Sequence, residues 1–195
     1  MKYFIFKKII GDELVNHLKN YFFMKKQIYN FLTLMGKIND KTMFIGTNGD
    51  KGVPDCYSEY ADFCSETLLK SIRPKVEDAF KQKLIESYSY TRIYINGSFL
   101  KKHKDRINCE YSVTLNISGE SWPIFIKDNI EIPVILNPGD ALFYKGCELS
   151  HWREPYMGKE EYIQIFLHYN KLGTMKYDNR HLLGAPRQIY TNEKF

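Results

Sequence analysis

The chain opens with a short apolar patch, MKYFIFKKII, five or six residues long with lysines on both sides, and this reads as a first strand. It is too short for a signal-peptide core or a membrane span, so the expectation is a soluble, cytoplasmic protein. Asp12 has the character of a helix N-cap, and Leu14, Val15, Leu18, Tyr21 and Phe22 then fall on one helical face. Residues 37–57 contain TNGDKG and a proline, which marks a loop or hairpin. Helical spacing returns over 58–72 through Tyr60, Phe63, Cys64, Thr67 and Leu68. Pro74 suits the first turn of a further helix, one that would bury Val76, Ala79, Phe80 and Leu84.

The pattern changes near residue 87. SYTRIYI alternates and is rich in β-formers, Asn96-Gly97 signals a turn, and FLKKHKD continues as a strand. YSVTLNI, WPIFIK and EIPVIL follow as strands, the last running into the tight turn Asn137-Pro138-Gly139-Asp140. ALFY, SHW and YIQIFLHY complete the series. About eight short strands with hairpin-sized gaps, preceded by helices, predict an α+β, mainly β chain: an antiparallel double-stranded β-helix of the jelly-roll or cupin-like type. The helices would buttress one sheet and leave the barrel mouth open for a ligand. The expected organisation is one domain over 1–195, with 1–86 mostly helical support, 87–170 the jelly-roll core, and 171–195 a tail or lid. There is no internal repeat or low-complexity tract.

Composition adds little to this picture. Of 195 residues, 44% are hydrophobic and 26% charged, an ordinary globular balance. Fifteen Tyr, 13 Phe and 2 Trp suit a wide sheet core and a pocket wall. The net charge of +5 could favour nucleic acid or an anionic cosubstrate, but the lysines are scattered and read as solvated surface. Cys56, Cys64, Cys109 and Cys147 form no CxxC pair, so zinc-knuckle and thioredoxin-like chemistry is excluded and reduced thiols are expected.

The candidate chemistry lies in His103 and Asp105, spaced i and i+2 and so on one side of a strand. His151, 48 positions on, can close a triangle with them. Two histidines and one carboxylate form the facial triad that holds non-haem Fe(II) and leaves positions open. Zinc accepts the same donors, and the spacing alone does not name the metal. No HExxH is present. The bland alternative is an exposed polar pair beside Lys101, Lys102 and Lys104, with His151 an ordinary strand-end histidine.

YTRIYINGSFLKKHKDR followed by CEYSVTLNIS, and then LNPGDALFYKGCELSHWREPYMGKEEYIQIFLHY, resemble the metal strands of Fe(II)/2-oxoglutarate-dependent dioxygenases of the prolyl-hydroxylase-like branch. The resemblance covers roughly residues 86–170 and is specific in order, spacing and turn chemistry. It implies Fe(II) held by His103, Asp105 and His151, and 2-oxoglutarate and O2 as cosubstrates, with ascorbate a further candidate. The implied reaction is oxidative decarboxylation to succinate and CO2, coupled to substrate hydroxylation. In that branch a basic residue nine or ten positions after the distal histidine binds the far carboxylate of 2-oxoglutarate. Here Glu160 and Glu161 stand there. Arg153, on the inward side with His151, is the first choice for this cation, Lys159 the second and Arg92 the third. Tyr94 matches a position that offers a phenol to the cosubstrate. Trp152 reads as a packing residue, and Gln164 and His168 as pocket-lining residues without a role. The resemblance implies a peptidyl, prolyl-type substrate, with small molecules also open. Two rivals stand beside it: an inactive jelly-roll binding protein, and a cupin-like metalloenzyme that does not use 2-oxoglutarate.

Overall fold

The computed structural model describes residues 1–38, 45–49 and 53–174. Most of the expected 171–195 tail, and part of the 37–57 loop, lie outside them. The elements in chain order are β1 (Tyr3–Phe6), α1 (Asp12–Leu34), β2 (Thr47–Asn48), β3 (Tyr57–Tyr60), α2 (Phe63–Phe80), β4 (Leu84–Tyr94), β5 (Leu100–His103), β6 (Tyr111–Ser118), β7 (Ile124–Lys127), β8 (Glu131–Val134), β9 (Ala141–Tyr144), β10 (Ser150–Arg153) and β11 (Tyr162–Lys171). They form two sheets, ordered β1-β9-β6-β11-β4-β3-β2 and β5-β10-β7-β8, with antiparallel pairing throughout. This is a double-stranded β-helix with helices on one side.

Alternation explains why the layers face as they do. In β11, Ile163, Ile165 and Leu167 join Val113 and Leu115 of β6 in the core beneath the helices. The residues between them, Tyr162, Gln164, Phe166 and His168, therefore face the second sheet. On that inner side β6 presents Ser112, Thr114 and Asn116, an unusually polar row for a buried strand. Helix α1 contributes Val15, Leu18 and Phe22, and α2 contributes Leu69, Ile72 and Val76. Burying each of these is worth roughly 1.5–3 kcal/mol, which holds the helices on the sheet. Between the sheets, Leu142, Tyr144, Ile124 and Ile126 form a second core, and Tyr94, Trp122, Tyr156 and Tyr162 close one end of the barrel.

Several local expectations need correction. Gly11, not Asp12, caps α1, and it makes no side-chain cap bond; Asp12 and Glu13 sit in the first turn, where negative charge favours the helix dipole. Leu14 is exposed, so the buried face is narrower than its spacing suggested. Tyr60 belongs to β3, and the second helix begins only at Phe63, where Asp62 accepts from the backbone N–H groups of Cys64 and Ser65 at 2.9 and 3.2 Å. Pro74 does not start a helix. Helix α2 runs through it to Phe80, because Ile72 and Val76 stay anchored on either side of the missing hydrogen bond. Leu84 is buried from β4 rather than from a helix. The first 86 residues also supply three complete strands, two of them pairing beyond β4.

The turn before β9 is a structural clamp. Gly139 has φ +87°, and a Cβ there would lie 2.9 Å from the carbonyl oxygen of Ile10. Ile9 N–H donates to Gly139 O at 2.8 Å. The buried carboxylate of Asp140 accepts from the N–H groups of Lys8 (2.9 Å) and Asn137 (3.0 Å) and from Lys7 Nζ (2.8 Å). The turn thus fastens the β1–α1 junction to the strand preceding His151.

Candidate metal centre and its cavity

Strands β5 and β10 pair antiparallel, with His103 directly opposite His151 and Leu100 opposite Arg153. Three steps on β5 face two on β10, so β5 carries a bulge. The bulge lets Leu100 and His103 both face inward despite their odd spacing, and both line the same cavity. Asp105 lies just past the end of β5. Its backbone N–H donates to Gly146 O at 2.9 Å, and Gly146 N–H donates to Glu110 O at 3.1 Å, which holds the carboxylate against the β9–β10 connection.

The three side chains converge. One donor atom from each of His103, Asp105 and His151 lies within 4.8 Å of the other two. Asp105 Oδ1 is 3.4 Å from His151 Nε2 and 3.7 Å from His103 Nε2. Ligands sharing one ion at about 2.1 Å stand roughly 3.0–3.4 Å apart, so small movements would complete a common coordination sphere. Each imidazole has its other nitrogen against the backbone carbonyl two residues upstream: His103 Nδ1 to Lys101 O at 2.7 Å, His151 Nδ1 to Leu149 O at 3.1 Å. A carbonyl only accepts, so both Nδ1 atoms carry protons, and the Nε2 atoms are left to face the carboxylate. Two imidazole nitrogens and a carboxylate oxygen pointed at one place form a cation-binding donor set. The ionisation of Asp105 agrees with this, and the proton that His103 favours is one a bound cation would displace. Burial pushes the Asp105 carboxyl up, but the contacts with His103 and His151 outweigh it and hold Asp105 well below the usual carboxylate range. The same contact with Asp105 raises His103 despite burial.

The far oxygen of the carboxylate is held separately. Asp105 Oδ2 accepts from Ser112 Oγ at 2.7 Å, and Ser112 Oγ is 3.0 Å from His168 Nδ1. A Cβ on Gly146 would overlap Asp105 Oδ2 and come within 2.7 Å of Ser112 Oγ. His168 is neutral, because burial pushes its imidazole down to about 4.

A cavity of about 270 Å³ opens beside the triad, with Tyr88, Tyr90, Phe166 and Arg92 in its wall. Arg92 Nη1 donates to Tyr94 Oη at 3.2 Å, and its guanidinium lies over the rings of Tyr90 and Tyr94 at 5.1 and 5.3 Å.

The other sequence candidates fall elsewhere. Arg153 faces inward as expected, but it does not line the cavity among the described residues. Its guanidinium donates to Trp122 O and, at 2.8 Å, to Gln164 Oε1, and lies over the Trp122 ring at 4.5 Å. Lys159 is exposed, and its backbone N–H bonds to Glu120. Tyr94 is buried in the barrel plug, edge-on to Trp122, with its phenol on Arg92. Glu161 pairs with Lys26 on α1. Trp152 stacks on Phe125 at 14° and carries Lys102 Nζ at 3.8 Å, away from the cavity. Sequence reasoning missed Ser112, Tyr88 and Tyr90. The polar alternation of YSVTLNIS was the available signal for the first.

Comparison with solved structures places this architecture. Over 88% of this chain and 94% of its own, a prolyl-4-hydroxylase from Pseudomonas putida superposes with a TM-score of 0.67 at 13% identity. The fold is that of the 2-oxoglutarate/Fe(II) oxygenases. HygX from Streptomyces hygroscopicus, solved with nickel, 2-oxoglutarate and hygromycin B bound, aligns over 88% of this chain and 84% of its own, with TM-score 0.63 and 11% identity. A viral collagen prolyl hydroxylase from Paramecium Bursaria Chlorella virus-1, in complex with 2-oxoglutarate, aligns over 88% and 97%, with TM-score 0.60 and 10% identity. No family model and no curated protein matches the sequence. Among the described residues, no helix is long and apolar enough to cross a membrane.

Proposed function

We propose that the protein is an Fe(II)- and 2-oxoglutarate-dependent dioxygenase that hydroxylates its substrate. The single observation that carries this reading is the convergence of His103, Asp105 and His151 at the edge of an inward-opening cavity in an oxygenase fold. The overall change is 2-oxoglutarate, O2 and substrate C–H giving succinate, CO2 and substrate C–OH. Bound iron would supply the activation of O2 that couples these halves. The chain's own residues do the rest: His103 and His151 offer Nε2 lone pairs, Asp105 offers one oxygen, and the cavity gives an oxo acid access to the ion.

Arg92 is assigned the far carboxylate of 2-oxoglutarate, ahead of Arg153. It stands in the wall of the triad cavity, held by the Tyr94 and Tyr90 hydroxyls, whereas Arg153 lies outside that wall against Trp122 and Gln164. A guanidinium at this point offers paired donors to a carboxylate. Tyr94 then orients Arg92 instead of touching the cosubstrate. At about 270 Å³ the cavity is near the lower edge of small-ligand pockets, which suits a compact dicarboxylate, with the substrate approaching over the exposed His103 edge. A peptidyl, prolyl-type substrate is the working assignment, carried by resemblance to the prolyl hydroxylases. The four free thiols suit a reducing, cytoplasmic setting. The domain assignment is a single unit over 1–195.

The test is succinate formation from 2-oxoglutarate with Fe(II) under air. Purified protein should turn 2-oxoglutarate over slowly without its substrate, and Asp105→Ala should stop this while keeping its circular dichroism. Turnover that persists in Asp105→Ala would remove the ligand assignment. Oxidation that proceeds without 2-oxoglutarate would favour a cupin-like enzyme instead.

A further inference from the structure

We infer that His168 is a positioning residue for the metal-binding carboxylate, acting through Ser112 to keep Asp105 a one-oxygen ligand. The inference rests on the metal-site reading above and goes beyond the triad itself.

Ser112 Oγ has a single proton and two lone pairs. It stands 2.7 Å from Asp105 Oδ2, 3.4 Å from Cys109 O and 3.0 Å from His168 Nδ1, and it also interacts with the Tyr144 hydroxyl, which can use the second lone pair. A carboxylate oxygen only accepts, and a charge-assisted bond at 2.7 Å outcompetes a marginal one at 3.4 Å, so the proton points to Asp105. The serine oxygen must then accept from His168, which fixes the imidazole with its proton on Nδ1. The chain runs in one direction: His168 Nδ1–H to Ser112 Oγ, Ser112 Oγ–H to Asp105 Oδ2.

The geometry makes this chain consequential. Asp105 Oδ1 faces both triad imidazoles, and Oδ2 turns away toward Ser112. With Oδ2 engaged, the carboxylate cannot rotate to chelate through both oxygens, and the coordination positions that an oxo acid and O2 require stay open. Gly146 is the relief cut in this arrangement, since any side chain there would strike Oδ2 and Ser112 together. His168 is itself fixed by β11, which pairs it with Ser112 on one side and Tyr88 on the other, and by the Tyr88 ring at 4.6 Å. Its Nε2 has no hydrogen-bond partner among the described residues, and the residue lines the cavity. The same tautomer therefore leaves a lone pair on Nε2, a hydrogen-bond acceptor for a hydroxyl or N–H of whatever enters.

Two measurements test the inference, one with no ligand and one with Co(II) alone. In long-range proton–nitrogen correlation spectra of the full chain at pH 7, His168 should be the Nδ1-protonated neutral tautomer; an Nε2-protonated ring would overturn the inference. In Co(II) titrations, Ser112→Ala and His168→Phe should each weaken binding about tenfold or more and alter the Co(II) ligand-field spectrum. His168→Asn, which returns an amide N–H to the Nδ1 position, should recover most of the affinity and the spectrum. A folded His168→Phe with wild-type affinity and spectrum sinks the positioning role alone. Wild-type protein that takes up no Co(II) sinks the metal reading, and this inference with it.

Discussion

Gly146 and Asp105 touch in a way that admits no side chain: a Cβ on Gly146 would overlap the Asp105 carboxylate and press on Ser112. Gly146→Ala is therefore expected to displace Asp105 and weaken divalent metal binding by about tenfold or more, the usual scale for disturbing groups behind a ligand. Overpacking should also cost roughly 1–3 kcal/mol of stability. Metal titration and urea unfolding of the metal-free variant check both; wild-type metal affinity would contradict the tight cradle.

Arg92 and Arg153 should separate cleanly when each is replaced by Met. Losing Arg92 removes a charged hydrogen-bond donor from the cavity wall, so 2-oxoglutarate affinity should fall about ten- to a hundredfold. Losing Arg153 strands the buried acceptors Trp122 O and Gln164 Oε1, and should cost on the order of 2–4 kcal/mol of stability. Isothermal titration with 2-oxoglutarate and chemical unfolding give the two readings. A collapse of cosubstrate affinity in the Arg153 variant alone would reverse the assignment.

Glu59 supplies a pH signature outside the His103–Asp105–His151 triad. Burial, reinforced by Asp62, pushes its carboxyl up to about 7, against the opposing bonds from Lys25 and Tyr57. A group raised from 4.5 to about 7 binds a proton in the folded chain that the unfolded chain has already released across that interval. Its contribution therefore makes stability fall as pH rises from about 4.5 to 7, then level off. Glu59→Gln mimics the protonated form. Relative to wild type it should be more favourable at pH 8 than at pH 5, by on the order of 2 kcal/mol. Urea melts at the two pH values decide; an equal difference at both would mean Glu59 is ionised throughout.

Asp140 has the opposite sign. Burial pushes its carboxyl up, but Lys7 and the N–H groups of Lys8 and Asn137 outweigh this and hold it below the ordinary value of 3.8. Its stabilisation is complete above that value and is lost as pH falls through the lower folded one. Asp140→Asn should thus destabilise at neutral pH, by about 1–3 kcal/mol, and progressively less in acid. Thermal melts at pH 7 and below pH 3 test the trend.

The strands of the second half were legible because their alternation is strong and their turns carry specific residues, as at Asn96-Gly97 and Pro138-Gly139. The meeting of His103 with Asp105 and His151 was also readable from spacing, although Asp105 reaches the site from beyond the strand end. Three features were not readable. Pro74 looked like a helix start because local propensity cannot see Ile72 and Val76 gripping the sheet on both sides of it. The surroundings of Arg153 were not readable because period two gives the inward face but not the depth: its contacts with Trp122 and Gln164 come from strands distant in sequence. The Ser112–His168 link joins residues 56 positions apart through the β6–β11 register, which no local pattern encodes.

The most direct measurement is the absorption spectrum of the protein mixed anaerobically with Fe(II) and 2-oxoglutarate. A weak visible charge-transfer band should appear only when all three are present, and should be absent from a folded Asp105→Ala variant. A folded wild-type protein with saturating iron and 2-oxoglutarate that gives no such band would contradict the assignment of His103, Asp105 and His151 as the iron ligands of an oxo-acid-dependent oxygenase.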